Sequence, residues 1–338
     1  MIEMPVKAGI FFCARRNFET SMKPILTVFI LLLCTALAAQ KKGDWVVAQD
    51  GSGRFRSVQD AIDAVPEGNV VPQTIFIRRG VYAEVVTIDS TRHAVRLVGE
   101  DRDATIIQCG RHSGERLPNG DTINTWTSAT VFVFGNDFRA ENLTIRNDAG
   151  FSAGQAVALR VEGTRAALRN CRITGFQDVL FLSGAGTRHY FESCTIEGTT
   201  DFIFGAATAV FQNCTIHSKK NSHVTAAATP ASERYGFVFI DCTLTADTNV
   251  HKVSLGRPWR PHAAVTYIRC TMGAHIIPEG WDNWKNPANE ATARFAEYRS
   301  SGPGARPAER ARWSRQLTEE EAAQCGAGAV LGYWKPFQ

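Results

Sequence analysis

A four-residue phrase returns along the second half of this chain: a small or polar residue, a cysteine, then threonine or arginine, then an aliphatic residue. It reads NCRI at 170–173, SCTI at 193–196, NCTI at 213–216, DCTL at 241–244 and RCTM at 269–272. An earlier version, ENLTI at 141–145, has Asn142 in the cysteine place. From Asn142 onward the markers are 29, 23, 20, 28 and 28 residues apart. Self-similarity at this period indicates a solenoid, in which each coil buries its apolar face against the next. Within a coil the pattern is strand-like: VFQNCTI (210–216) and FVFIDCTL (237–244) are rich in β-branched and aromatic residues. Short turns at Thr174-Gly175 and Gly184-Ala185-Gly186 separate the runs, leaving no room for crossover helices of about ten residues. Parallel strands without such helices predict an all-β fold, a right-handed parallel β-helix. An antiparallel sandwich is the alternative, and identical phrases in register count against it.

A solenoid needs capped ends. Ser57-Val58-Gln59-Asp60, followed by Ala61, Ile62 and Val65, reads as a short amphipathic helix with Ser57 as N-cap, placed to cover the first coil. Thr318 and Glu321 form a capping box that opens a helix through about Gln324. The stretch 286–316, rich in Pro, Gly, Ala and Arg, reads as an irregular segment folded back along the coils. Residues 39–338 therefore read as one domain.

The repeat also brings chemistry into register. Asp178 lies seven residues after Cys171, and Asp201 seven residues after Cys194. If each phrase marks one coil, the two carboxylates are stacked about 4.8 Å apart along the hydrogen-bonding direction. Carboxylates that close cannot both ionise freely. One aspartate at a solenoid turn is usually a turn residue; a pair in register is an arrangement for catalysis.

The bulk numbers exclude some classes. The chain has 338 residues, 44% hydrophobic and 21% charged, with a net charge of +4. The first 38 residues carry four cationic and two acidic side chains, so the remainder has a net charge of +2. That is too weak for a nucleic-acid partner and compatible with an anionic substrate. Met22-Lys23, the apolar run Ile25 to Leu37 and Ala36-Leu37-Ala38 read as an export signal over 1–38, with Met22 as the true start. The run is short for a membrane span, so the expectation is a secreted or periplasmic protein without stable membrane insertion. A monomer suffices for this fold.

Of nine cysteines, Cys13 and Cys34 fall in the signal, and seven remain. Five of these occupy the repeat position, where buried small hydrophobes stacked in a core are expected. Stacked neighbours are also within disulfide range, and Cys194–Cys214 is the best candidate because that coil is the shortest at 20 residues. No Cys-x-x-Cys or histidine cluster suggests a metal site.

Five motifs then combine: GFQDVLF (175–181), GTTDFIFG (198–205), LGRPW (255–259), GVYAE (80–84) and QAVAL (155–159). Together, occurring in the family's order along 44–338, they resemble the pectin methylesterase (pectinesterase) family. The resemblance implies a right-handed parallel β-helix that hydrolyses the methyl esters of pectin, releasing methanol without a cofactor. It implies Asp201 as nucleophile and Asp178 as general acid, then general base. It implies Gln177 and Gln155 as donors to the oxyanion, Arg257 as partner of Asp201, and Trp259 in the sugar subsite. Gln177 and Asp178 are adjacent, and successive strand residues face opposite sides, so a local bend is needed for both to reach one site.

Exposed aromatic faces suit sugars, which makes Phe202, Trp281 and Phe176 further substrate-binding candidates, with Thr130; the alternative for each is a place in the core. Tyr82 and Glu84 read as structural. The chain departs from the common family pattern at Val179-Leu180-Phe181, often Thr-Leu-Tyr, at Thr200, often Val, and at Arg260-Pro261-His262. These departures leave the subsite preference open. Rival functions are a polygalacturonase-type glycosidase on the same fold, an esterase on another carbohydrate ester, and a non-catalytic carbohydrate-binding solenoid. Retaining glycosidases also hold two carboxylates about 5–5.5 Å apart, but they have no acyl oxyanion for two glutamines to bind.

Overall fold

A computed structural model describes residues 45–332 and 334–337. The export signal expected over 1–38 lies outside the described residues. In the described chain every strand-to-strand ladder is parallel, and the strands form three sheets of 11, 8 and 7 strands. One coil shows the plan. Ala166–Arg169 lies in the 11-stranded sheet, Arg172–Thr174 in the 8-stranded sheet and Leu180–Leu182 in the 7-stranded sheet. The chain then returns to the first sheet at Arg188–Glu192, one strand further on. This is the parallel β-helix the repeat implies.

The repeated phrase marks the bend between the first and second sheets. Asn142, Asn170, Ser193, Asn213, Asp241 and Arg269 all adopt left-handed backbone, with φ between 49° and 57°. Asn and Asp tolerate that region better than other side chains. The Asn170 side chain donates to Asn142 Oδ1 at 2.7 Å, so neighbouring bends are tied together. Arg269 lacks such a side chain and is held instead by two 2.8 Å bonds to Asp241.

The register corrects one expectation. Ile173 pairs with Ile145, so Asn142 stands opposite Asn170 and the buried Leu143 takes the cysteine place. The interval between corresponding bends is then 28 residues, the Asn142 to Asn170 separation.

After each bend the cysteine turns inward. Cys171, Cys194, Cys214, Cys242 and Cys270 are buried, and all are free thiols. The expected Cys194–Cys214 disulfide is absent. In-register parallel strands project their side chains in the same direction, whereas a disulfide needs a dihedral near 90°. Each S–H instead reaches a backbone carbonyl, Cys194 toward Leu168 and Cys214 toward Phe191, both at 3.5 Å.

Beside the thiols runs a second ladder: Phe191, Phe211, Phe239 and Tyr267 stack face to face with centroids 4.8, 4.5 and 4.4 Å apart. Burial of each ring contributes roughly 1.5–3 kcal/mol. Phe211→Ala leaves a gap between two rings in a core that cannot collapse along the coil axis. It is expected to lower stability by about 3–5 kcal/mol, measurable by urea unfolding. A loss under about 1 kcal/mol would contradict the rigid ladder.

At the N-terminal end the helix Val58–Asp63 buries Val58, Ala61 and Ile62, and Ser57 accepts from the Asp60 N–H. The Glu84 carboxylate accepts from the Val58 and Gln59 N–H groups at 2.9 and 3.0 Å, while the buried Tyr82 hydroxyl donates to the Arg78 carbonyl. Both residues are structural.

At the other end Thr318 and Glu321 form the capping box of the helix Glu319–Ala323. The stretch 286–316 is more ordered than the composition suggests. Arg294–Tyr298 and Arg315–Gln316 add two strands to the 11-stranded sheet. Their signal is masked because the strand carries Glu297, which is buried in an ion pair with Arg310 at 2.7 Å. Arg310 also donates to the carbonyls of Ile277, Pro278 and Gly304, fastening the tail to the last coils.

Candidate active site

The site forms where consecutive coils pass from the 8-stranded into the 7-stranded sheet. Leu180 pairs with Ile203, which puts Asp178 in register with Asp201 on the neighbouring coil. The Asp178 N–H donates to the Thr200 carbonyl and the Asp201 N–H to the His223 carbonyl. Both aspartates have left-handed backbone, with φ of 63° and 50°. This is the local bend that alternation alone could not supply. It lets Gln177 and Asp178, neighbours in sequence, line one cleft of about 350 Å³. Gln155 pairs with Gln177 across the coils and lines the same cleft.

Both carboxylates are buried, Asp178 at 9% and Asp201 at 6% exposure, but their partners differ. Arg257, in the strand Ser254–Pro258, donates Nε to Asp201 Oδ1 at 2.9 Å and a second nitrogen to Oδ2 at 2.6 Å. This bidentate fork is the strongest ion-pair geometry available to a carboxylate. The guanidinium is itself stacked on Trp284, 3.7 Å from the ring centroid.

Asp178 has no such partner. Burial, followed by the negative charge of Asp201, pushes its carboxyl well above the usual carboxylate range; Arg257 and the Gln177 amide act the other way and are outweighed. The pair is thus split into one charge-compensated carboxylate and one carboxylic acid, the division of roles that acid–base catalysis requires.

Aromatic rings make the walls. Trp259 meets Trp126 at 6.5 Å, and packs edge-on to Phe204 and Phe181, which are stacked 4.3 Å apart. Trp126 is 47% exposed at the mouth of the cleft.

Of the sequence candidates, Asp178, Asp201, Gln177, Gln155, Arg257 and Trp259 come together here. Four others do not. Phe202 is fully buried in the solenoid core, because the bend at Asp201 turns the next side chain inward. Trp281 is 4% exposed and stacks on Phe295 at 4.5 Å, also in the core. Thr130 is fully buried, its hydroxyl hydrogen-bonded to the carbonyls of Arg146 and Cys109. Phe176 is part-buried on the far side of the catalytic bend. It lines a separate groove with Arg146, Arg172 and Lys219, and its ring meets Phe151 edge-on at 5.8 Å.

Trp126, Phe204 and Trp284 are the cleft aromatics that sequence reasoning missed. A signal existed for Trp126, an aromatic set among polar residues in NTWTS (124–128), where burial is a poor expectation. Among the described residues, no group of three or more His, Cys, Asp or Glu side chains is arranged to hold a metal ion. No helix of the described residues is long and apolar enough to cross a membrane.

A family profile for pectinesterases matches residues 44–331. Pectinesterase 31 of Arabidopsis thaliana is 39% identical over 284 residues, covering 82% of this chain and 88% of the relative. A probable pectinesterase/pectinesterase inhibitor 23 of the same plant is 36% identical, and the match spans 51% of its greater length. Among solved structures, pectin methylesterase from carrot superposes with a TM-score of 0.79 at 32% identity, covering 85% of this chain and 92% of that one. A pectin methylesterase in complex with a hexasaccharide gives 0.77 at 30% identity, covering 87% and 98%. With its repeat, its paired aspartates and these likenesses in agreement, the chain belongs to the pectinesterase family and is a carboxylic ester hydrolase built on a right-handed parallel β-helix.

Proposed function

We propose that this ester hydrolase removes the methyl groups of pectin through an aspartyl acyl-enzyme, with Asp201 as nucleophile and Asp178 as the acid and base. The observation that carries this reading is the asymmetry of the pair: Asp201 lies in the fork of Arg257, and Asp178 is held as the acid. A carboxylate oxygen of Asp201 attacks the ester carbonyl carbon, and the carbonyl oxygen takes the negative charge. The side-chain amides of Gln177 and Gln155 donate to that oxyanion. The carbon–methoxide bond then breaks, and Asp178 gives its proton to the leaving group, so methanol departs. An anhydride links Asp201 to the sugar carboxyl. Water attacks this anhydride while Asp178, now a carboxylate, takes the water proton. Collapse frees the galacturonic acid carboxyl, which loses its proton to solvent, and restores Asp201 as carboxylate and Asp178 as acid.

The aromatic walls support a sugar polymer as substrate, since ring faces of Trp259 and Trp126 suit the apolar faces of pyranose rings. A wall polymer as substrate and the apolar run before residue 38 together support export, to the periplasm or beyond the cell. A glycosidase reading fits less well, because the fork of Arg257 engages both oxygens of Asp201 and two glutamines line the same cleft, donors for which a glycosidase has no acyl oxyanion.

The test is methanol release from highly methylated pectin by the protein and by its aspartate variants. No methanol from a folded protein would overturn the reading. Gln177→Ala is expected to lower kcat by about 10²–10³-fold with little change in KM, because an oxyanion donor acts mainly in the transition state. Steady-state kinetics on methylated pectin would show this, and an effect confined to KM would remove Gln177 from the oxyanion role.

A further inference from the structure

Asp201 has a second titratable neighbour on the side away from Asp178. The pairing of Ile203 with Thr225 continues back along both strands, and the Asp201 N–H donates to the His223 carbonyl at 2.9 Å. The next coil sets Ser254 opposite His223. Asp178, Asp201, His223 and Ser254 therefore stand in one column over four consecutive coils. Neighbours in such a column are about 4.8 Å apart along the backbone, within side-chain reach of each other. The His223 Nδ1 lies 2.7 Å from the hydroxyl of Ser254, which is buried. His223 begins the strand that runs between the coil of Asp201 and the coil of Arg257, so the ion pair is formed across it.

The charged groups that face His223 are Arg257, Asp201 and Asp282, with Asp178 one coil beyond. Burial disfavours the imidazolium and Arg257 acts in the same direction. Asp201 and Asp282 oppose them, and the balance leaves the ring less basic than an ordinary histidine. The ion pair is thus bordered by a neutral imidazole.

We propose that His223 is a positioning residue for Asp201: bonded to Ser254 as a neutral ring, it keeps the carboxylate in the fork of Arg257, and on protonation it competes with Arg257 for that carboxylate and halts the reaction. The inference rests on Asp201 as the nucleophile. A second cation beside Asp201 would also make its oxygens poorer nucleophiles. Activity is then lost as pH falls through the titration of His223, because the protonated form is the inactive one. With the ring less basic than usual, this loss lies below the ordinary histidine range.

The test has two arms. In the first, pH–rate profiles of kcat and kcat/KM are compared for the wild type and His223→Gln. The acid limb of the variant is expected to move down by about one pH unit or more, with any loss above the limb falling on kcat and not on KM. An unmoved acid limb, or the same fractional loss at every pH, would overturn the proposal. In the second arm, the His223 ring is titrated by NMR in the wild type and in Asp201→Asn. It is expected to titrate below the ordinary histidine range and to move lower still in Asp201→Asn, where the charge that supports the imidazolium is gone. A ring that ignores that substitution would overturn the proposal. This arm decides alone if His223→Gln does not fold. The two readings fail differently. Methanol release surviving in Asp201→Asn removes the nucleophile, and this inference with it. An inactive Asp201→Asn beside an unmoved acid limb removes His223 alone.

Discussion

Asp201→Asn is expected to lower kcat for methanol release by about 10⁴-fold or more while KM changes little, as for other nucleophiles that act as one unit with their partners. The amide of asparagine is nearly the same size and can still accept a bond from Arg257, so the cleft keeps its shape and its aromatic walls. What it loses is the electron pair that attacks the ester carbonyl. Arg257 keeps 22% of its side chain exposed and is stacked on Trp284, so the cation left without its carboxylate still has the ring face and some water. The variant should remain folded, and a circular dichroism melt would verify that before its kinetics are read. Retention of more than about a tenth of the activity would mean that no acyl-enzyme forms on Asp201. The hydrolysis would then have to run by direct attack of water.

Asp178→Asn is the second large effect, a fall in kcat of about 10²–10⁴-fold, the usual contribution of a positioned acid–base group. Asparagine cannot give a proton to methoxide or take one from water, so both halves of the cycle slow. The wild type should also show the state of Asp178 in its pH profile. Burial and the charge of Asp201 raise its proton affinity, so the acid form persists well above the usual carboxylate range. The acid form is the one needed for the first step. Activity is therefore present below the raised pKa and lost as pH climbs through it, giving an alkaline limb that Asp178→Asn lacks. Profiles of kcat/KM on methylated pectin would check this. A wild-type alkaline limb that survives unchanged in Asp178→Asn would assign the limb to another group.

The residues that carried most of the argument are legible for different reasons. The bends at Asn170, Asn213 and Asp241 are written in the chain because left-handed backbone favours Asn and Asp, and at these bends and at Ser193 the cysteine that follows must be small and apolar. The same logic misled at ENLTI, where Asn142 is the bend residue and Leu143 the buried one. The asparagine was legible, but its place in the phrase was settled only by the pairing of Ile145 with Ile173. Asp178 and Asp201 could be paired by counting, since equal offsets from two markers survive any uncertainty about the coil. Arg257, 56 residues beyond Asp201, could not be joined to it by counting. The motif resemblance proposed that contact, and the geometry shows it.

Among the aromatic candidates Trp259 reached the cleft and Phe202 and Trp281 did not. Phe202 adjoins Asp201, but the bend there sends adjacent side chains to opposite sides of the wall, so nearness in sequence says nothing about which side faces the cleft. Trp126 and Trp284 lie 75 residues before and 83 residues after Asp201 and enter the cleft from a one-turn 3-10 helix and a turn. Local pattern therefore determined the coil, its bends, its buried thiol column and the register of two carboxylates, because each of these repeats with the chain itself. Which rings wall the cleft, that Arg257 grips one aspartate and leaves the other an acid, and that no disulfide closes Cys194 to Cys214 were decided by the tertiary structure. Those outcomes depend on side-chain direction and on charges brought together across coils, and neither is a property of any one stretch of sequence.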